Sequence, residues 1–151
     1  MDETHNPLRA DTDHIVNGPR SPSPGGPYSQ SVIAGPFVFC SGQRPEDPST
    51  GSIPTRFEDQ AEQVLRNLQD GLHAAGCDLT DLVKVNVYLS DLENFHKFNE
   101  VYKRHIREPY PARTTVACEL RGIEVEVDAI AFRTNLAQDF DNGDGGPRRG
   151  I

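Results

Sequence analysis

From residue 124 to residue 129 the chain alternates without a break: Glu124, Val125, Glu126, Val127, Asp128, Ala129. Successive side chains of a β-strand point to opposite faces, so this run sets three apolar side chains on one face and three carboxylates on the other, about 7 Å from one to the next. Like charges at that spacing raise one another's pKa unless water or a cation lies between them. A fold that contains such a strand needs an apolar partner for the dry face. For the acidic face it needs a solvated surface, a wet pocket or a subunit seam.

The partner for the dry face lies upstream. Phe57, Ala61, Val64, Leu65, Leu68, Leu72 and Ala75 recur at helical spacing, and Gly76 supplies the stop. Thr55-Arg56-Phe57-Glu58 reads as a capping box with Thr55 at the N-cap. A second box, Ser90-Asp91-Leu92-Glu93, opens a helix with the stripe Phe95, Phe98, Tyr102, Ile106, ending near Pro109. Strands are expected at Ser31–Ala34 and Phe37–Cys40, across a Gly35-Pro36 turn, and at Ala112–Cys118 and Glu124–Arg133. Another is expected at Leu82–Leu89, with Val83, Val85, Val87 and Leu89 on one face and Lys84, Asn86 and Tyr88 on the other. The loop from Arg44 to Pro54 has room for one more short strand. The order β-β-α-β-α-β-β predicts an α+β fold, a mainly antiparallel sheet with two helices on one face.

At 151 residues the chain accommodates one domain with a sizeable core. Residues 1–20 and 134–151 show no sustained hydrophobic period and are expected to be disordered tails around a domain at 21–133. Acidic residues outnumber basic ones 23 to 15, a formal net charge of −8 that argues against a nucleic-acid partner. Three cysteines, Cys40, Cys77 and Cys118, form no CxxC pair and suit a reduced compartment, with Cys40 and Cys118 read as small buried thiols in strands. The histidines show no ligand spacing, so no metal is expected. Neither a signal-length apolar segment nor an apolar run of membrane-spanning length occurs, which predicts a soluble cytoplasmic protein with no membrane partner. GxGxxG, P-loop and GxSxG signatures are absent too.

Single residues carry weaker signals. Arg113, just after Tyr110-Pro111-Ala112, could cross to the acidic face or clamp a ligand carboxylate through two parallel N–H···O bonds; an isolated strand-start arginine is more often solvated or paired. Asn99, beside the stripe residue Phe98, reads by itself as a helix-surface residue. Tyr28 follows a Gly25-Gly26-Pro27 turn that could present its hydroxyl at an edge, although tyrosines there are more often core or interface.

Taken together the motifs are specific. Gly26-Pro27-Tyr28-Ser29-Gln30, Ser41-Gly42-Gln43, Phe98-Asn99-Glu100-Val101-Tyr102, Pro111-Ala112-Arg113-Thr114-Thr115-Val116 and Val125-Glu126-Val127-Asp128-Ala129-Ile130-Ala131 resemble, in order and near-family spacing, the successive signatures of the RidA/YjgF family. The resemblance covers about residues 21–133. It implies a chorismate-mutase-like α+β fold assembled as a homotrimer, with sites in the clefts between subunits. It also implies cofactor-independent hydrolysis of 2-aminoacrylate-type enamines, 2-iminopropanoate and 2-iminobutanoate to 2-keto acids and ammonium. By the same resemblance Arg113 grips the substrate carboxylate, Glu126 places the attacking water, Tyr28 and Asn99 line the pocket, and Ser41-Gly42 lies beside the ligand. No cofactor or metal is implied.

Three departures mark this chain. Arg44 stands where the family usually has an aliphatic residue before Pro45, the Leu120–Ile123 connection is about two residues short, and Asp128 replaces a second glutamate. The competing readings are a chaperone-like or regulatory ligand-binding trimer on the same fold, and a pathway-specific deaminase acting on a larger imine.

Overall fold

The alternating segments assemble into a six-stranded sheet, seen in a computed structural model that describes residues 15–20 and 23–134. The strands are β1 (Ile15–Val16), β2 (Ser31–Ala34), β3 (Phe37–Gln43), β4 (Leu82–Leu89), β5 (Ala112–Ala117) and β6 (Val125–Phe132); the helices are α1 (Phe57–Ala74) and α2 (Phe95–His105). In space the strands run β1-β2-β3-β6-β4-β5, every pairing antiparallel except the parallel edge pair β4–β5. The last long strand thus lies in the middle, where both neighbours satisfy its backbone.

Both helices cover one face. Val38 and Cys40 of β3, Val85, Val87 and Leu89 of β4, and Val125, Val127, Ala129 and Ala131 of β6 form one buried cluster with Leu65, Leu68 and Leu72 of α1 and Phe98, Val101 and Tyr102 of α2. α1 stops as predicted: Gly76 adopts φ 76°, and the N–H groups of Gly76 and Cys77 return to the carbonyls of His73 and Leu72. A clasp joins the two helices, Glu62 of α1 meeting both Arg104 and His105 of α2.

Several local expectations are corrected. Thr55 does not cap α1: the N-cap is Arg56 with no side-chain bond, and the Gln60 amide donates to the Pro54 carbonyl at 2.9 Å. Ser90 does not cap the second helical segment; its N–H bonds Glu124 O, while Asp91 accepts from Glu93 N and opens a short 3₁₀ turn, Leu92–Asn94, ahead of α2. Val83 is 43% exposed, because an extra residue in β4 between Leu82 and Lys84 turns it out and buries Leu82 instead. Glu124 precedes β6, so the strand carries two carboxylates, Glu126 and Asp128. Cys118 lies one residue past β5 and is only partly buried, whereas Cys40 is buried. Within residues 1–20, expected to be a disordered tail, Ile15–Val16 pairs with Ser31–Val32 as an added edge strand. Residues 1–14 and 135–151, the rest of the expected tails, lie outside the described residues.

The second face of the sheet has no helix over it among the described residues. It divides into an apolar half and a polar half. Val32, Phe37, Phe39 and Phe132 are exposed, with the Phe37 and Phe132 rings edge-to-face at 5.4 Å. Alongside, Asn86 and Tyr88 of β4 stand opposite Asp128 and Glu126 of β6.

Candidate active site in two halves

The first half is built on the uncovered face. β3 carries a bulge between Cys40 and Gln43, so three steps along β3 match two along β6. The bulge falls at Ser41-Gly42, where the Ser41 hydroxyl donates to Ser29 O at 2.5 Å and the Gln43 amide to Ser41 O at 2.9 Å. Gly42 is demanded by contact rather than by backbone conformation. A Cβ there would lie 3.0 Å from the Glu126 Cδ and overlap its Oε1. The Glu126 carboxyl therefore lies directly on the Gly42 backbone.

Glu126 and Asp128 share this face but have different settings. Asp128 accepts from Asn86 Nδ2 and from the Tyr88 hydroxyl, both at 2.7 Å. Those bonds tie Asp128 in place, and the bond to Asp128, with burial, pushes the Tyr88 phenol up to about 12. Glu126 accepts no comparable side-chain bond among the described residues. Partial burial raises its pKa; nearby Arg44 pulls it back, and the Asp128 charge adds to the rise. Such a carboxylate is suited to holding a water and taking its proton.

A cavity of about 350 Å³, lined by Tyr28, Gln30, Gly42, Gln43, Arg44 and Glu46 among others, opens at the glycine on which this carboxyl rests. The Tyr28 hydroxyl accepts from Gly25 N at 3.0 Å, which folds the Gly-Gly-Pro turn back over its own ring. Arg44 lines the cavity while bonded to Glu46 at 2.9 Å and to the Arg121 carbonyl at 3.4 Å. The departure at position 44 is therefore a paired arginine on the rim.

The second half lies on the other side of the sheet. Arg113 is in parallel register with core residue Val85, so its side chain points under α2 and does not reach the acidic face. There the guanidinium donates to Asn99 Oδ1 at 2.7 Å, with its carbon 4.8 Å from the Tyr102 ring centre. A cavity of about 240 Å³, lined by Asn99, Tyr102, Lys103, Tyr110, Pro111 and Arg113, opens at this point. The site residues expected from sequence thus divide into two sets: Tyr28, Ser41, Gly42 and Glu126 on one side, Asn99 and Arg113 on the other. Tyr102, expected only as core, is the residue that sequence missed. Its sole signal was a position three residues beyond Asn99 on the same helix face.

Among the described residues no group of His, Cys, Asp or Glu side chains converges as a metal site, and no helix is long and apolar enough to cross a membrane.

These features define a class: a small α+β domain whose uncovered sheet face bears a raised carboxylate on a glycine and whose edge strand bears a guanidinium under the second helix. The family model described as Endoribonuclease L-PSP matches residues 18–133. A RutC family protein of Pyrococcus horikoshii is 45% identical over 122 residues, 79% of this chain and 97% of its own length. The human 2-iminobutanoate/2-iminopropanoate deaminase is 36% identical over 125 residues, 81% of this chain and 91% of its own. Among solved structures, E. coli TdcF with bound serine aligns with a TM-score of 0.75 at 39% identity, covering 80% of this chain and 98% of that one. The chain belongs to the RidA/YjgF family.

Proposed function

We propose that this protein is a cofactor-independent deaminase of reactive 2-imino and enamine acids, working as a homotrimer whose sites form where two copies meet. The observation that carries the reading is the placement of Arg113 and Glu126 on opposite faces of one sheet, Arg113 lining one cavity and Glu126 resting on Gly42, which lines another. One copy then offers a carboxylate clamp and no base, and the base side has no clamp. A neighbouring copy that lays the Gly42–Glu126 part of its uncovered face against Arg113 brings clamp and base together. The exposed Val32, Phe37, Phe39 and Phe132 supply the apolar surface that such a contact would cover.

In the assembled site Arg113 holds the substrate carboxylate and so fixes the imine carbon near Glu126. Glu126 accepts a proton from water as the oxygen attacks that carbon. The carboxyl returns that proton to nitrogen, giving a carbinolamine; it then takes the new hydroxyl's proton and passes it to nitrogen as the carbonyl forms and the C–N bond breaks, so that the 2-keto acid and ammonia leave. The human relative's name supports the reaction, and its 2-iminobutanoate and 2-iminopropanoate are the substrates proposed first.

A coupled assay tests this, with an amino-acid oxidase generating 2-imino acids of varied side chain. Wild type should accelerate their disappearance, while Arg113→Ala should lose both turnover and 2-keto-acid binding. Glu126→Gln should slow turnover by about 10²–10⁴ and keep 2-keto-acid binding. Equal clearance by wild type and Glu126→Gln would end the deaminase reading.

A further inference from the structure

Arg113 is a cation held entirely by neutral groups. Its guanidinium carbon lies 4.8 Å from the Tyr102 ring centre, 5.7 Å from Phe95 and 5.8 Å from Phe98, and one N–H donates to Asn99 Oδ1 at 2.7 Å. All four residues come from one helix, at positions 95, 98, 99 and 102, the spacing that sets side chains on a single face of α2. No carboxylate forms an ion pair with Arg113 among the described residues, although elsewhere Arg44, Arg56 and Arg104 each have one. Aromatic faces attract a cation through the ring quadrupole without cancelling its charge. Asn99 takes one of the five N–H donors of a guanidinium that lines the cavity.

We propose that Phe95, Tyr102 and Asn99 are positioning residues for the substrate clamp: they hold Arg113 in one orientation without an ion pair from its own chain, so that its guanidinium is open to a 2-oxo or 2-imino carboxylate. This rests on the deaminase reading for the identity of the carboxylate. An acidic neighbour would have fixed the arginine equally well, but the incoming carboxylate would then have to displace it. Position 102 contributes its ring rather than its hydroxyl. The residue is 4% exposed, and the hydroxyl is buried with no hydrogen-bond partner among the described residues.

The experiment uses the full-length protein and 2-oxobutanoate as the calorimetric probe, beside imine turnover. Tyr102→Phe keeps the ring and should weaken 2-oxobutanoate binding far less than Tyr102→Leu does. Tyr102→Leu and Phe95→Leu should each weaken 2-oxobutanoate by roughly tenfold and raise KM to match, with kcat within about threefold. A residue with only a packing role would lower the melting temperature and leave the affinity of the folded protein unchanged. Phe95 is half-buried and its variant decides the matter if Tyr102→Leu does not fold. Wild-type affinity in a folded Phe95→Leu or Tyr102→Leu protein would overturn the proposal, as would a Tyr102→Phe defect equal to that of Tyr102→Leu. Wild type that neither binds 2-oxobutanoate nor clears imine would instead remove the deaminase reading, and this clamp with it.

Discussion

Glu126 has neighbours that pull its proton affinity in opposite directions. Partial burial favours its neutral form in the folded protein, and Arg44 only partly offsets this. A carboxyl whose folded pKa lies above its unfolded value contributes stability that is present below the unfolded pKa and is lost as pH rises through the folded one. Glu126→Gln should therefore raise the melting temperature at neutral pH, and the gain should shrink towards pH ~4. Scanning calorimetry at the two pH values checks the sign. Activity should run the other way, since a base must be ionised: the acid limb of kcat/KM should fall at a pH above the ordinary glutamate value. Gly42 gives a separate test. Gly42→Ala sets a methyl group where the carboxylate lies, so Glu126 must swing away. Turnover should drop by about 10²-fold while far-UV circular dichroism stays unchanged.

Among the elements, those with a strong period were legible in the sequence. The stripes of α1 and α2 and the alternation of β6 dictated a half-covered sheet, because each pattern leaves one apolar face in need of cover. Caps and bulges were not legible, since tertiary contacts decide them. Gln60 takes the Pro54 carbonyl and Ser90 answers Glu124, so neither predicted capping box forms. Arg113 and Glu126 were each visible as candidates, but their separation was not. It follows from β5 pairing in parallel with β4, in a register that only the folded sheet defines. β1 was missed because two residues carry no period of their own. It yields a prediction at this scale: deleting residues 1–18 strips the edge of β2 and should lower the melting temperature by roughly 2–5 °C. The amides of Ser31 and Val32 should then exchange faster; unchanged exchange would show that β1 contributes nothing.

For the whole molecule, the proposed assembly makes a prediction that no single-chain site shares. Arg113→Ala and Glu126→Gln each spoil a different half. If both are mixed, unfolded and refolded together, copies combine at random, and about one quarter of the sites should pair an intact clamp with an intact base. Activity should return to about that fraction of wild type, from parents that are each nearly inactive. No recovery in a mixture shown to form mixed trimers would place both groups in one chain's own site. Sedimentation equilibrium supplies the companion measurement, in which the proposal requires a trimer and not an active monomer.

The placement of clamp and base on opposite faces also bears on how catalysis responds to dilution. In the proposed assembly a newly folded chain carries every reacting group and yet is silent until it meets its neighbours. Specific activity should then fall more steeply than in proportion as protein is diluted below its assembly constant. A substitution such as Phe39→Asp, which touches neither half, should mimic an active-site defect and be rescued by concentration alone.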